Sequence, residues 1–462
     1  MARRDADATR RAPHGRAASG RAASGVRSAA ARTVDRTLAS QASAEGFLES
    51  ALAPFDERDQ GLLRELVLGT LRWLRRLDAV LAQASHRPLA EIEPALMSPL
   101  RVAAYQLLFL DRIPAHAAVD EAVDQAWALT HRGGASFVNA VLRRVARAPR
   151  LAAWPVREDD PVRRLAIEWS HPDFLVARWL ERFGRERTLA LLEVNNQPKA
   201  LQLLAFRDRG GREALAETLL EEGLDVVPTP LAPLGLTVRG GNPLRSAAFA
   251  RGEFYVQDEA SQAAALVPPP RPGERVLDAA AAPGGKSFAL LAREPTVRVV
   301  AADLAPARAG VLRANLRRLR RELPLVVADA GATAIAGEFD RVVFDLPCSG
   351  SGTLRKHPEL KWRLSPAEID RLARRQVELL LAARHAVRRD GLLCAITCSL
   401  EEEENEQVVE RFLSAATEFE RLPLAGLLAP PLDRYIAGPG LWRLLPGGDH
   451  DGFTVAVMRR RA

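Results

Sequence analysis

Cysteine is scarce in this chain, which has only three among its 462 residues. A small, odd number of cysteines argues against a disulfide framework and indicates a reducing compartment, so we expect a cytoplasmic protein. No apolar run has the length of a membrane span, and the N-terminal residues lack the apolar segment of a secretory signal. The sequence therefore predicts neither a secreted disulfide scaffold nor a membrane protein.

Aromatic residues and lysine are also rare. Aromatic residues make up 5% of the chain, so we expect hydrophobic cores of leucine, valine and alanine. Since arginine outnumbers lysine by 61 to 4, each lysine marks a position where a compact ammonium group is favoured. The four are Lys199, Lys286, Lys356 and Lys361.

The net charge of +7 is concentrated near the N-terminus. Residues 1–32 hold eight arginines and two aspartates, which leaves the rest of the chain almost neutral. They contain the repeat GRAASGRAASG without apolar periodicity, so we predict a disordered basic arm. Such an arm either contacts RNA non-specifically or is a solvated tail, and a transit peptide would have a similar composition.

Three folded domains are predicted after this arm. Residues 33–150 repeat leucine and valine at helical spacing, which indicates an all-α domain. Residues 151–252 mix helical segments with short strands and form a small linking α+β domain. Residues 253–462 alternate strands with helices, which predicts an α/β Rossmann-like domain with a parallel sheet covered on both faces.

Chemically active residues end five predicted strands of the last domain: Asp278, Asp303, Asp329, Asp345 and Cys398. Ligands of parallel sheets bind at the carboxyl ends of the strands, and four acids in succession are not easily explained as helix caps. The segment AAAAPGGKS lacks the first glycine of a P-loop, and the G-x-G-x-x-G pattern is absent. A nucleoside cofactor without a pyrophosphate fits best, and S-adenosylmethionine is the obvious one.

The cysteines point to covalent chemistry. Cys394 lies in mid-strand and is predicted to be a small core residue. Cys398 precedes EEEEN, where we expect a helix whose N-terminus favours a thiolate. Cys348 lies in a loop of serine and glycine, and no metal is expected because a fourth ligand at recognisable spacing is missing. A thiolate that adds to C6 of a pyrimidine makes C5 nucleophilic toward a methyl donor, and an acid near N3 and N4 stabilises charge on the ring.

These residues resemble the motifs of the RNA cytosine-5 methyltransferases, most closely those of the bacterial RsmB (Sun/Fmu) family of rRNA methyltransferases. The family's motifs occur in the same order as DAAAAPGGK, DLPCSGSGTLRKHPELKW and TCSLEEEEN. The helical domain resembles a NusB-type RNA-binding module, with FVNAVLRR its most recognisable piece. The resemblance implies a monomeric, S-adenosylmethionine-dependent methyltransferase that forms 5-methylcytosine in small-subunit (16S) rRNA.

The resemblance also implies residue roles. Cys398 would be the nucleophile, Cys348 would assist release of the methylated product, and Asp345 would hold the cytosine ring. Lys286 would orient Asp345 or the cofactor carboxylate. The cofactor would bind Asp303, Asp329, Asp345 and the loop of Ala280, Ala281, Ala282, Pro283, Gly284, Gly285 and Lys286.

Other interpretations stay open. A DNA-type cytosine-5 methyltransferase would use Cys348 as its nucleophile and leave Cys398 spare. An amino-group methyltransferase, suggested by the distant likeness of DLPC to D-P-P-Y, would leave Cys398 unexplained. Another RNA such as tRNA is an alternative substrate, and an inactive RNA-binding assembly or antitermination factor is an alternative of another class.

Two charged segments lie next to the cysteine motifs. RKHPELKW, residues 355–362, mixes cations with an aromatic side chain and is predicted to contact RNA at the edge of the base pocket. The acids Glu401–Glu404 are predicted to lie at a helix N-terminus rather than to bind metal.

Overall fold

The computed structural model describes residues 25–329 and 337–462. The chain divides into two compact units, of which the first ends at Val156 and the second runs from Arg157 to Ala462. The described part of the first unit contains seven α-helices: α1 (Val26–Leu38), α2 (Ala44–Leu52), α3 (Glu57–Arg72), α4 (Leu74–Ser85), α5 (Pro94–Phe109), α6 (Ala115–Leu129) and α7 (Arg132–Arg147).

The apolar periodicity of α7 explains how the first unit folds. Val138, Val141, Leu142 and Val145 recur at the spacing of one helix face, and all four are buried in the core that the seven helices share. The neighbouring Arg143 is exposed. The prediction of an all-α domain is confirmed.

The first helix corrects the predicted extent of the basic arm. Residues 1–24 lie outside the described residues, but residues 26–32 form the first part of α1. Ala29, Ala30 and Ala31 are buried in the helical core, where their small side chains allow close packing. Alanine is the strongest helix former, and the predicted arm included these residues because their composition resembled that of the preceding repeat.

The linking α+β region opens the second unit. Its four helices are α8 (Pro161–Glu168), α9 (Asp173–Val194), α10 (Gly211–Glu221) and α11 (Ala247–Arg251). Its antiparallel sheet has the order β2-β3-β1-β4, with β1 (Gln202–Ala205), β2 (Asp225–Pro228), β3 (Gly235–Gly240) and β4 (Phe254–Val256). Strand β4 pairs with β1 and lies beyond the predicted boundary at residue 252, so the small sheet extends past that boundary.

A second, nine-stranded sheet carries the strands predicted for the last domain. Its order is β11-β12-β13-β9-β8-β5-β6-β7, and β10 also pairs with β13. The strands are β5 (Arg275–Asp278), β6 (Arg298–Asp303), β7 (Leu325–Val327), β8 (Phe339–Asp345), β9 (Val387–Thr397), β10 (Phe419–Arg421), β11 (Ile436–Gly438), β12 (Leu441–Leu444) and β13 (Phe453–Arg460). The helices are α12 (Glu259–Ala265), α13 (Gly285–Arg293), α14 (Pro306–Arg318), α15 (Pro366–Ala383) and α16 (Glu406–Ala415).

Helices cover both faces of this sheet. In β8, Val342 and Phe344 pack in a cluster with residues of α15 and α16, whereas Val343 packs in another cluster with residues of α12 and α13. Side chains of a strand alternate between the two faces, so the two clusters lie on opposite sides. Strands β7, β6, β5, β8 and β9 pair in parallel with one another, which confirms the predicted architecture for this part of the sheet, whereas β13 pairs antiparallel with β9.

Candidate active site

Four strand ends of the parallel sheet meet at one edge. Strands β5, β6 and β8 end in Asp278, Asp303 and Asp345, and Cys398 directly follows β9. The chain builds the sheet outward from β5 through β6 to β7 and then continues on the other side with β8 and β9. The crevice at such a reversal is the usual ligand site of a doubly wound sheet. Asp329 follows β7 by two residues and is half-buried.

The loop Ala280–Lys286 leads from β5 into α13. The backbone N–H of Ala281 donates to Ala302 at 2.9 Å, and that of Ala282 donates to Oδ2 of Asp303 at 3.1 Å. Gly284 has a φ of +119°, and a Cβ there would lie 2.2 Å from the Phe288 ring. Glycine is therefore required at this position, and the loop is tied to the end of the next strand.

The two acids at the ends of β5 and β6 are buried and bonded to this loop region. Asp278 accepts a hydrogen bond from the Ser287 hydroxyl at 2.7 Å, and burial raises the pKa of Asp278 to about 6. The other oxygen of Asp303, Oδ1, accepts from the backbone N–H of Ala305 at 3.1 Å. Arg308 lies 3.5 Å from Asp303 Oδ2.

Lys286 and Asp345 form an ion pair across the crevice between β5 and β8. Lys286 Nζ lies 2.9 Å from Asp345 Oδ2, and it also donates to the Ser261 hydroxyl at 3.0 Å. The lysine side chain is buried, with its ammonium 4.9 Å from the centre of the Phe453 ring, whereas 38% of the Asp345 side chain is exposed. The ammonium group therefore fixes a carboxylate that still faces solvent.

The structure brings the two motif cysteines together. Cys348 Sγ lies 3.3 Å from Cys398 Sγ, although the residues are 50 positions apart. The hydrogen bond with Cys398, burial, and the nearby charges of Glu404 and Asp345 hold the pKa of the Cys348 thiol well above its ordinary value. Cys394 is buried, as predicted, and burial raises the pKa of its thiol to about 11.

Backbone hydrogen bonds hold the two cysteine loops against each other. The N–H of Leu346 donates to Ile396 at 2.8 Å, and the N–H of Gly352 donates to the carbonyl of Cys398 at 2.8 Å. The Ser351 hydroxyl accepts from the N–H of Leu400 at 2.9 Å. These bonds continue the pairing of β8 with β9 beyond the strands themselves.

Glu404 lies between the same loops. Its Oε1 accepts from the backbone N–H of Ser349 at 2.8 Å, and its Oε2 accepts from the hydroxyls of Ser349 and Ser399 at 2.5 Å each. Burial raises the pKa of Glu404 to about 7. The expectation of a helix N-terminus at this run is wrong, because α16 begins at Glu406 and its N-terminus is not next to Cys398.

Glu401 and Glu403 have partners from α9. Arg178 lies 3.3 Å from Glu401 Oε2 and 2.7 Å from Glu403 Oε1, and the Trp179 indole N–H donates to Glu401 Oε1 at 3.3 Å. The acidic run is therefore a turn packed into the protein rather than a solvated helix start. The sequence signal for a buried role of these acids is their position, because only Leu400 separates Glu401 from the TCS motif.

The structure also corrects the predicted RNA contact at residues 355–362. Arg355 is buried and donates to the carbonyl of Pro198 at 2.5 Å. Lys361 is buried and donates to Asn196 Oδ1 at 2.7 Å and to the carbonyl of Ser170 at 3.2 Å. These two cations are used to satisfy protein carbonyl groups, and of the three cations in the segment only Lys356 is exposed.

Within residues 25–329 and 337–462, no cluster of three or more histidine, cysteine, aspartate or glutamate side chains is arranged to hold a metal ion. No helix in these ranges is both long and apolar enough to cross a membrane.

Family models match three successive segments of the chain. Residues 265–459 match the model described as 16S rRNA methyltransferase RsmB/F. Residues 24–147 match the NusB family, and residues 171–245 match a ferredoxin-like domain of RsmF/B-like methyltransferases. The matches follow the order of the helical, linking and sheet regions, and they confirm the resemblance stated from the motifs.

Curated relatives and solved structures agree with these matches. The chain is 36% identical over 445 residues to ribosomal RNA small subunit methyltransferase B of Pseudomonas putida, covering 94% of this chain and 98% of the relative. It is 34% identical to the protein of the same name from Sodalis glossinidius, covering 93% and 96%. The crystal structure of PH0851 matches with a TM-score of 0.78 and 26% identity, covering 95% of this chain and 98% of that one. Because the similarity to such relatives extends over nearly their whole length, the chain belongs to the RsmB/F family of 16S rRNA methyltransferases.

Proposed function

We propose that this enzyme transfers a methyl group from S-adenosylmethionine to C5 of a cytosine in small-subunit (16S) rRNA. The observation that carries the proposal is the pair of thiols whose sulfur atoms lie 3.3 Å apart at the ends of adjacent parallel strands. Methylation of an amino group needs no thiol, whereas attack at C6 needs one thiol as the nucleophile, and a second thiol beside it can assist release. The names of the relatives support rRNA as the substrate.

The strand ends beside the thiols fit S-adenosylmethionine. Asp303 is buried, and its two oxygens each accept one backbone N–H, which leaves acceptor capacity for a ribose diol. Gln257 donates to the carbonyl of Gly285, and its own Oε1 is buried without a hydrogen-bond partner among the described residues. That oxygen suits an ammonium group. When bound, S-adenosylmethionine supplies an electrophilic methyl group.

Cys398 is assigned the attack on the base. Because the raised pKa keeps Cys348 a thiol near neutral pH, we assign its S–H as the hydrogen-bond donor and Cys398 Sγ as the acceptor and nucleophile. A bond then forms between Cys398 Sγ and C6, and the electron pair of the C5–C6 double bond becomes available at C5. Asp345, held by Lys286, is assigned the contact with N3 and N4 that stabilises charge on the ring.

Cys348 is assigned the release step. Once Cys398 is bound to carbon, its sulfur carries no negative charge and accepts only a weak hydrogen bond, so both contributions of Cys398 to the raised pKa of Cys348 are reduced. Cys348 is assigned to release its proton to solvent and then to accept the proton from C5. The C5–H electron pair restores the C5–C6 double bond, the Cys398 Sγ–C6 bond breaks, and the thiolate returns.

Nucleoside analysis tests this function. The wild type and Cys398→Ala would be incubated with unmodified 16S rRNA and S-adenosylmethionine, and the digested RNA analysed by mass spectrometry. We expect 5-methylcytidine with the wild type only. A methyl group on an exocyclic nitrogen, or full activity of Cys398→Ala, would contradict the proposal, and activity on tRNA alone would reassign the substrate.

A further inference from the structure

Glu404 binds both of the loops that carry the thiols. Ser349 directly follows Cys348, and Ser399 directly follows Cys398. The Glu404 carboxylate accepts the N–H and hydroxyl of the first serine and the hydroxyl of the second. The amide of Gln376, on α15, lies 3.3 Å from the same carboxylate. Four donors from three separate segments therefore meet on one side chain.

A buried acid at this position destabilises the folded protein unless its oxygens accept hydrogen bonds. The Glu404 side chain is almost fully buried, and burying a carboxyl group without partners disfavours folding. An apolar side chain would avoid that cost, but it would leave the Ser349 N–H and both serine hydroxyls without this acceptor. The carboxylate is thus the shared acceptor that sets the distance between Ser349 and Ser399, whose hydroxyl oxygens lie 3.1 Å apart.

The position of this contact matters for the sulfur atoms. The backbone bond between Gly352 and Cys398 joins the loops four residues beyond Cys348. Glu404 instead holds the residue next to each cysteine, so it restricts the backbone from which both side chains project. A displacement of about 1 Å at a reacting atom is enough to lower a rate about 100-fold.

We propose that Glu404 is a positioning residue that clamps Ser349 to Ser399 and so presents the sulfur atoms of Cys348 and Cys398 to one substrate ring at the same time. Its effect on catalysis rests on the cytosine-5 chemistry proposed above, whereas the clamp itself concerns only the two loops. Glu404 acts on the reacting sulfur atoms through the two serines.

Thiol cross-linking measures the clamp without RNA or cofactor. Diamide oxidises two thiols to a disulfide and is itself reduced to a hydrazine, and bond formation requires the sulfur atoms to approach to about 2.05 Å. Tryptic cleavage places Cys348 in residues 342–355 and both Cys394 and Cys398 in residues 390–411, so the mass identifies the cross-linked peptides and fragment ions between Cys394 and Cys398 identify the partner. We expect Glu404→Ala to form this disulfide about tenfold more slowly than the wild type. Glu404→Gln keeps one acceptor oxygen and the shape of the side chain, so its rate should stay within about threefold of the wild-type rate.

Steady-state methyl transfer supplies the second measurement. Glu404→Ala should lower kcat about 100-fold, since both thiols must be placed within about 1 Å. Its KM for S-adenosylmethionine should change less than about threefold, because the hydrogen bonds of Glu404 go to Ser349, Ser399 and Gln376 and not to the loop Ala280–Lys286. Glu402→Ala is the matched control, since Glu402 belongs to the same acidic run but is exposed. If Glu404→Ala does not fold, Glu404→Asp replaces it in both measurements, because the shorter side chain moves the carboxylate away from the two serines by one methylene.

The outcomes separate the clamp from the chemistry. Slow cross-linking in Glu404→Ala, with recovery in Glu404→Gln and a normal Glu402→Ala, supports the clamp. Cross-linking of Glu404→Ala at the wild-type rate, or equal slowing by Glu402→Ala, overturns it, whatever happens to methyl transfer. If the cross-linking results are as expected but the wild type makes no 5-methylcytidine, the clamp stands and the proposed function fails.

Discussion

Replacing Glu404 by glutamine should make the protein relatively more stable as the pH rises. Burial raises the pKa of Glu404 from 4.5 to about 7. A group whose pKa is higher in the folded than in the unfolded state contributes its stability below the unfolded pKa and loses it as pH rises through the folded pKa. Glutamine is neutral at every pH and has no such loss.

The size of the effect follows from the two pKa values. A difference of about 2.5 pKa units corresponds to about 3 kcal/mol, at about 1.4 kcal/mol per unit. The free energy of unfolding of Glu404→Gln, relative to the wild type, should therefore rise by about 1.4 kcal/mol per pH unit between about pH 5 and 7 and level off above that range. The charge of Glu401 is one of the causes of the raised pKa of Glu404, so its contribution is already included in this value.

Urea unfolding at four pH values from 5 to 8 provides the assay. Tryptophans lie in both units, so the fluorescence transition that shifts between the variants is assigned to the second unit, where the Trp179 indole N–H donates to Glu401 of the same acidic run. The difference between Glu404→Gln and the wild type should grow by about 3 kcal/mol across the range. Glu402→Gln, at an exposed acid of the same run, should show a constant difference. A Glu404→Gln protein whose stability follows that of the wild type at every pH would refute the reasoning.

Three further predictions concern the cofactor side of the site. Gly284→Ala places a Cβ 2.2 Å from the Phe288 ring at a φ of +119°, so it should weaken S-adenosylmethionine binding, measured by calorimetry, at least about tenfold. In the control Gly310→Ala the new Cβ has nothing within 4 Å and binding should be normal; equal affinities of the two variants would contradict a role of the loop Ala280–Lys286 in cofactor binding. Lys286→Met should lower the free energy of unfolding in urea by about 1–3 kcal/mol, because Asp345 loses its cation, although its partial exposure limits the loss. The same variant should lower kcat at least about tenfold, and an unchanged kcat would contradict the assignment that Lys286 orients Asp345. Asp303→Asn should raise the KM for S-adenosylmethionine about tenfold to a hundredfold and leave the affinity for rRNA, measured by filter binding, unchanged. A loss confined to rRNA binding would contradict the assignment of Asp303 to the cofactor.

Much of the sheet region could be predicted because its signals are local. Most of the parallel strands are apolar runs that end in a polar residue or are followed directly by one, and parallel neighbours place those ends at one edge. Asp278, Asp303, Asp345 and Cys398 were located in this way. The distance between Cys348 and Cys398 follows from the pairing of β8 with β9, which sequence spacing alone does not establish.

The errors concern charged side chains whose partners lie far away in the chain. Arg355 and Lys361 have the composition of an RNA contact, but carbonyl groups more than 150 positions away accept their hydrogen bonds. Glu404 belongs to a run of acids that is typical of the first turn of a helix, yet it is buried between two loops. Burial of a charge depends on tertiary contacts, so local pattern assigned these residues to the surface. Strands β10, β11 and β12 were missed because each has only three or four residues, too few for an alternating pattern to stand out.

The division of labour between the two thiols is tested most directly by denaturing gel electrophoresis. Cys348→Ala and Cys398→Ala would each be incubated with S-adenosylmethionine and labelled 16S rRNA, with the wild type alongside. A slowly migrating protein–RNA adduct with Cys348→Ala alone is the predicted result, since Cys398 attacks C6 and release then fails. An adduct with Cys398→Ala alone would contradict the assignment and make Cys348 the nucleophile.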